Sequence, residues 1–242
     1  MTRVAVVTGG SSGIGAATVR LLRAAEYEVY AGARRVDRLR EVCEPVGAHA
    51  LQLDVTDQAS VDQFVAQLPS CDVLVNNAGG ALGLNRVEDA VDEQWRTMFE
   101  SNVLGLVRMT RALIPMLEHA DPGHVVNMVS VAGLGTYPNG GGYTAAKHAA
   151  HAVNDTLRME LLGRPIRVSE IDPGLVETEF SVVRLGDEES ARRVYQGMTP
   201  LTADDVADAV VWVVTRPKHV DIDQVVMRPL DQATIAMVHR RT

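Results

Sequence analysis

Near its start the chain reads Val4-Ala5-Val6-Val7-Thr8-Gly9-Gly10-Ser11-Ser12-Gly13-Ile14-Gly15. A short apolar, β-branched run passes straight into a glycine-rich stretch, and an amphipathic segment from Ala16 to Ala25 follows without a break. In a strand-to-helix turn, glycines let the backbone approach a pyrophosphate at a helix N-terminus, where unpaired N–H groups and the helix dipole favour an anion. The spacing Gly9-x-x-x-Gly13-x-Gly15 differs from the Gly-x-Gly-x-x-Gly of other dinucleotide folds, so the context carries the reading. Gly9, Ser11, Ser12, Gly13, Ile14 and Gly15 are the expected cofactor contacts here.

Working outward, short β-branched runs alternate with longer amphipathic ones, the pattern of βαβ units under a parallel sheet. Seven runs read as strands: 4–8, 28–31, 50–53, 73–76, 124–129, 167–171 and 224–227. Uninterrupted apolar character, as in Val125-Val126-Asn127-Met128-Val129, suits strands covered on both faces. Helices are expected over 16–25, 36–43, 60–67, 103–117, 145–162 and 203–215. The fold class is therefore α/β: a Rossmann-type, doubly wound, seven-stranded parallel sheet with helices on both faces, in a single domain over 1–242. The charged segment 176–199 lacks a strand and is expected to form a small, mobile helical cap over the substrate.

The chain has 242 residues, 46% hydrophobic but only 4% aromatic, so aliphatic side chains must fill the core. A net charge of -8 argues against nucleic acid or an anionic membrane as the main partner. The apolar run 4–7 meets Gly9 too early for a signal peptide or a membrane span, and Cys43 and Cys71 show no metal or redox spacing. A cytoplasmic enzyme is expected.

Where many dinucleotide folds place a ribose-binding carboxylate about 20 residues beyond the glycines, this chain has Gly32-Ala33-Arg34-Arg35. Two guanidiniums and no carboxylate before Asp37 suit a phosphate dianion, so NADP(H) is preferred over NAD(H). Further on, Tyr143-Thr144-Ala145-Ala146-Lys147 puts a phenol and an ammonium at i and i+4, on one helix face, with Ser130 thirteen residues upstream of the phenol. Such a pair can converge on one substrate oxygen. That is acid/base chemistry beside a nucleotide.

These motifs together resemble the classical short-chain dehydrogenases/reductases over nearly the whole chain. Thr8 to Gly15 is similar to the family's cofactor loop, and Asn76-Asn77-Ala78-Gly79 to the motif ending its fourth strand. Ser130, Tyr143 and Lys147 resemble its catalytic set, Asn102 completes a tetrad, and Pro173-Gly174 is similar to its turn after the sixth strand. Arg34 resembles the basic residue of the NADP-using branch. The ending Met227-Arg228-Pro229-Leu230-Asp231-Gln232, with 32–35, resembles the bacterial NADP-dependent serine and 3-hydroxy-acid dehydrogenases and clavulanate-type aldehyde reductases.

The resemblance implies hydride transfer between NADP(H) and the carbonyl or alcohol carbon of a small substrate. Tyr143 is the general acid/base, its pKa lowered by Lys147 and the positive nicotinamide; Ser130 orients the substrate oxygen; Asn102 holds a water in the proton relay. Asp54, Val55, Asn76, Ala78, Gly79, Pro173, Gly174, Val176 and Thr178 join Tyr143 and Lys147 as cofactor contacts. Asp54 and Thr178 also read as plain helix caps. The resemblance further implies a homodimer or homotetramer, paired through the helix 103–117 and the Tyr143 helix, and the nearly all-round apolar character of 103–117 agrees.

The pocket is expected from residues 131–137, 81–86 and 177–198, where Arg184, Arg192 and Arg193 can meet a substrate carboxylate or lie solvated. The glycines in Pro138-Asn139-Gly140-Gly141-Gly142 predict a mobile loop. His119, His124, His148 and His151 show no ligand spacing, and no catalytic metal is expected. A non-catalytic NADP(H)-binding sensor and a methyltransferase are the alternatives, but neither needs Ser130, Asn102, Tyr143 and Lys147 together.

Overall fold

The computed structural model describes residues 2–241. One sheet of seven parallel strands runs through them: β1 (Val4–Thr8), β2 (Glu28–Ala33), β3 (His49–Gln52), β4 (Val73–Asn76), β5 (Gly123–Met128), β6 (Ile166–Pro173) and β7 (Gln224–Met227). Their order is β3-β2-β1-β4-β5-β6-β7, so the winding reverses between β1 and β4. The crevice beyond the carboxyl ends of the strands at such a reversal is where open α/β sheets bind ligands.

The helices are α1 (Gly13–Ala24), α2 (Val36–Cys43), α3 (Gln58–Val65), α4 (Asp92–Phe99), α5 (Gly105–Leu117), α6 (Gly141–Glu160), α7 (Glu179–Leu185), α8 (Glu188–Tyr195) and α9 (Ala203–Val214). The period-2 alternation of the strands sorts their side chains between two cores. Ala5, Val7, Val73, Val75 and Val126 pack with Leu22 of α1, Leu39 of α2 and Val210 of α9. Val6, Leu74 and Val125 face the other way, onto Phe64 of α3, Met109 and Leu113 of α5 and Leu157 of α6. Every one of these is buried. Among the described residues no helix is long and apolar enough to cross a membrane.

Strand ends differ from the sequence reading by a residue or two, and the larger differences lie around glycines and the active site. α1 begins at Gly13, so Gly13 and Gly15 belong to its first turn. α6 begins at Gly141, which puts Tyr143 in its first turn. The glycines before Tyr143 mark close packing rather than mobility: a Cβ on Gly140 would lie 2.4 Å from the Tyr137 ring, and one on Gly142 would lie 2.5 Å from Met98 Cε. Between α4 and α5 the chain makes one wide π-turn over Glu100–Leu104, a feature without periodicity in the sequence. Such turns recur at functional sites.

The segment after β6 holds α7 and α8 as the sequence predicts, with Thr178 accepting from Phe180 N (3.2 Å) to cap α7 and Asp187 capping α8. On α5, Val107, Ile114 and Met116 remain half-buried, apolar surface left over after packing on the sheet. Cys43 and Cys71 are buried free thiols, and burial pushes the Cys43 thiol up to about 11, away from reactivity.

Candidate active site

The glycine loop is held from below by the end of β4. Thr8 Oγ1 accepts from Asn77 N (3.0 Å) and Ala78 N (2.9 Å), while Asn77 Nδ2 donates to Thr8 O (2.9 Å). Gly9 and Gly13 have φ of +69° and +52°, which favour glycine. A Cβ on Gly15 would stand 2.3 Å from Gly9 O, so only glycine lets the helix close on the loop. Ser12, the N-cap of α1, makes no side-chain capping bond, and no acidic residue lies in the first turn. The first N–H groups of a three-turn helix are thus left to an anion. These features fit the pyrophosphate of a dinucleotide.

At the end of β2, Arg34 is exposed. Its charge helps to hold the Asp54 carboxyl below the usual range; burial opposes this, and bonds from Thr56 N (3.0 Å) and Thr56 Oγ1 (2.7 Å) act with Arg34. Arg35 turns back over the loop mouth and donates to Ser12 Oγ (3.0 Å) and Glu179 Oε2 (3.3 Å). Arg38, which the sequence reading passes over, also pairs with Glu179 at the start of α7. Its signal is the i, i+3 spacing from Arg35. Three guanidiniums therefore gather near the loop mouth, two of them clamped to the cap.

Other predicted cofactor residues take supporting places. Asn76 spends its amide on Thr110 Oγ1 (2.9 Å) and Asn127 Oδ1 (3.0 Å) in a buried polar chain, so it braces β4 rather than lining the crevice. Val55 is buried against Gly105. Ala78 and Gly79 stand beside the loop, and a Cβ on Gly79 would meet Asn102 Oδ1 at 2.5 Å. Gly174 has Gln232 Oε1 in the place its Cβ would fill, at 2.2 Å, and Val176 O accepts from Tyr195 OH (2.8 Å). Thr178 both caps α7 and faces Gly13.

Ser130, Tyr143 and Lys147 converge beyond the end of β5. Ser130 Oγ donates to Pro173 O (3.3 Å) and accepts from Ala132 N (3.1 Å), with the Tyr143 phenol beside it. Lys147 is buried, donates to Met128 O (2.9 Å) and lies 5.9 Å from the centroid of the Tyr143 ring. Burial pulls its ammonium down to about 8, against the attraction of Asp172 and Glu170. Burial likewise pushes the Tyr143 phenol up, with the nearby Ser130 hydroxyl and the Arg184 charge only partly offsetting it. The protein alone therefore raises the phenol, where the sequence reading expects Lys147 and nicotinamide to lower it; in the absence of the cofactor's charge, desolvation wins.

Asn102 sits in the π-turn, and its side chain is engaged: Nδ2 donates to Met98 O (2.7 Å) and Gly80 O (2.9 Å), and Oδ1 accepts from Gly80 N (3.2 Å). The amide thereby fixes the 80 loop to the π-turn.

Behind the site lies a buried acid pair, set on one face of β6 by its i, i+2 spacing. Asp172 and Glu170 on β6 are both 0% exposed. Asp172 Oδ1 accepts from Ser130 N (3.0 Å), Asp172 Oδ2 accepts from Gln224 Nε2 (2.7 Å), and Glu170 Oε1 pairs with His151 Nδ1 (2.8 Å). Burial and the charge of Asp172 push the Glu170 carboxyl up to about 8, and Glu170 in turn raises His151. His151 thus has the carboxylate partners its sequence spacing lacks. With Asp155 and Glu170 its ligand atoms lie within 4.8 Å of one another, but each ring nitrogen already faces a carboxylate, Nδ1 facing Glu170 and Nε2 facing Asp155 at 3.6 Å. The trio is thus one hydrogen bond, to Glu170, and one longer ion-pair contact, to Asp155.

A stability consequence follows. A carboxyl at about 8 when folded and near 4.5 when unfolded holds its proton longer in the folded state, so stability is lost as pH rises between those values. Glu170→Gln keeps the hydrogen bonding and removes the titration. Urea unfolding at about pH 5 and about pH 8 should show a smaller loss in the variant than in the wild type; an equal loss contradicts the assignment.

The cap closes over these groups. Phe180 packs against Tyr143 with ring centroids 5.5 Å apart, and the Arg184 guanidinium lies 5.4 Å from the Tyr143 ring centroid. Arg184 also donates from Nη1 to Tyr137 OH (2.7 Å) and from Nε to Gly83 O (3.1 Å). It thereby joins the three segments expected to form the pocket. Arg192 and Arg193 point elsewhere, paired with Glu188 and Glu189 on the exposed side of α8.

A crevice at the winding reversal, a glycine loop fitted to a pyrophosphate, and a Ser-Tyr-Lys constellation define a nucleotide-dependent oxidoreductase site. The sequence profile described as "short chain dehydrogenase" matches residues 3–189, and the chain belongs to that family. It is 54% identical over 233 residues to an uncharacterised oxidoreductase of Mycobacterium tuberculosis H37Rv, covering 96% of this chain and 93% of the relative. It is 40% identical over 247 residues to the NADP-dependent 3-hydroxy acid dehydrogenase of Escherichia coli K12, covering 98% and 100%. The closed form of a serine dehydrogenase complexed with NADP+ superposes with a TM-score of 0.93 at 39% identity, covering 99% of this chain and 100% of that one.

Proposed function

We propose that the protein transfers hydride between NADP(H) and the alcohol or carbonyl carbon of a small hydroxy acid or its oxo counterpart. The observation that carries this reading is the convergence of Ser130, Tyr143 and Lys147 beside a glycine loop shaped for pyrophosphate. The relatives named for 3-hydroxy acids and for serine act on compounds that share a carboxylate two carbon–carbon bonds from the nearest free alcohol oxygen's carbon, which supplies the substrate class.

Bound at the crevice, the nicotinamide supplies or accepts the hydride and, when oxidised, a positive charge. Gly9 to Gly15 would hold the pyrophosphate, Arg34 with Arg35 and Arg38 the 2′-phosphate, and Lys147 the ribose hydroxyls. Ser130 Oγ orients the substrate oxygen. Tyr143 gives its proton to that oxygen on reduction and removes it on oxidation. Lys147, 5.9 Å from the centroid of the Tyr143 ring, would stabilise the phenolate by its charge. Asp172 fixes Ser130 through its backbone N–H (3.0 Å), and Phe180 and Arg184 close the pocket against water.

NADP use rests on the arginines at the loop mouth. Arg34→Asp places a carboxylate where a dianion would sit, and NADPH affinity should fall by on the order of 100-fold while NADH affinity changes little or improves. Fluorescence titration with each nucleotide reads this directly; an unchanged ratio of affinities would refute the NADP assignment. We further infer a cytoplasmic homodimer or homotetramer paired through α5 and α6, whose half-buried Val107, Ile114 and Met116 a second copy would cover.

A further inference from the structure

Of the three cap arginines, Arg184 is the one without an anion. Among the described residues it forms no ion pair, whereas Arg192 and Arg193 each have a glutamate one helical turn away. Its two bonded nitrogens meet neutral acceptors, the Tyr137 hydroxyl and the Gly83 carbonyl, and Nη2 makes no hydrogen bond among the described residues. The residue is half-buried, so an uncompensated charge there is costly and an anion delivered to it gains more than it would on the surface.

The guanidinium is also held in place. Two hydrogen bonds fix its plane, and the Tyr137 and Tyr143 rings lie beneath it with centroids 5.5 Å and 5.4 Å from its carbon. Tyr143 is the group proposed to meet the reacting oxygen. A ligand whose alcohol oxygen reaches the Tyr143 hydroxyl extends its other end toward Arg184. We propose that Arg184 binds the substrate carboxylate through Nη2 and so selects hydroxy and oxo acids over neutral alcohols and carbonyl compounds. The assignment rests on the hydroxy-acid reading above and deepens it by naming the residue that reads the charge.

The geometry also explains why the residue sits in the cap. Arg184 ties α7 to the loops at 83 and 137, and a carboxylate on its free nitrogen adds a charge-assisted bond to that knot. Substrate charge would then favour the closed arrangement of all three segments, so the acid recruits its own cover. A neutral substrate lacks this term.

The test compares wild type, Arg184→Met and Arg184→Lys in two readouts. The first is kcat/KM with NADP+ for 3-hydroxybutyrate against its methyl ester. The second is the Kd of butyrate, an unreactive carboxylate, for the enzyme–NADPH complex, read from NADPH fluorescence. The acid-to-ester preference should fall by on the order of 10- to 100-fold in Arg184→Met, with butyrate binding weakened by a similar factor and partly restored in Arg184→Lys. A merely structural strut would lower acid and ester turnover equally and leave the preference unchanged, which overturns the assignment. So would equal butyrate affinity in all three proteins. A wild type that binds butyrate through Arg184 but turns nothing over would sink the dehydrogenase reading and leave the carboxylate site standing.

Discussion

Tyr143→Phe should lower kcat by about 10³-fold, within the 10²- to 10⁴-fold range that a positioned proton donor contributes, while NADPH affinity stays within a few-fold of wild type. The substitution removes one oxygen and keeps the ring, so the contact with Phe180 at 5.5 Å and the cations of Lys147 and Arg184 above the ring survive. Lys147 keeps its bond to Met128 O (2.9 Å), which does not involve the phenol. What is lost is the proton for the substrate oxygen. An equal fall in kcat and kcat/KM marks an interaction made in the transition state. Steady-state kinetics beside NADPH titration separates this from unfolding or lost cofactor. A variant that binds NADPH and turns over near the wild-type rate would mean that another group handles the proton.

Gly15→Ala should weaken NADPH binding by on the order of 10- to 100-fold, in line with the roughly 1–3 kcal/mol cost of overpacking a tight site. The added carbon would stand 2.3 Å from Gly9 O and 2.5 Å from Asn77 Nδ2. The first neighbour is backbone, and the second is the side chain that ties the loop to β4 through Thr8 O (2.9 Å). Neither can yield without moving the loop that would hold the pyrophosphate. Gly80→Ala is the matched control, since its Cβ meets nothing within 4 Å. NADPH titration and thermal unfolding of both variants decide the matter. If Gly15→Ala binds NADPH as Gly80→Ala does, the loop is not the phosphate site.

The sheet was legible because its strands are continuous apolar runs, and Val4–Thr8 or Val73–Asn76 cannot be satisfied except between two helical layers. Tyr143 and Lys147 were legible because i, i+4 spacing on a helix is local information. The features that escaped depend on contacts between distant segments. Glu170 and His151 meet across 19 residues (2.8 Å), and nothing near either one announces the other. The glycines at 140–142 look like a flexible loop until Tyr137, Trp95 and Met98 are seen against them. Asn102 was found by motif, yet its side chain serves Gly80, because the π-turn that redirects it has no periodic signature. Arg192 and Arg193 have their glutamates at i−4, a pairing readable from the spacing, but only the fold shows Arg184 facing Tyr143.

The central claim is that this site moves hydride between NADP(H) and a hydroxy acid. The measurement that tests it most directly is the formation of NADPH by the purified wild-type protein given NADP+ and a panel of 3-hydroxy acids, with NAD+ in parallel. Saturable NADPH formation with at least one acid, much slower with NAD+, is the predicted result. Tight NADPH binding with no turnover of any acid, or of the matching oxo acids in reverse, would contradict it.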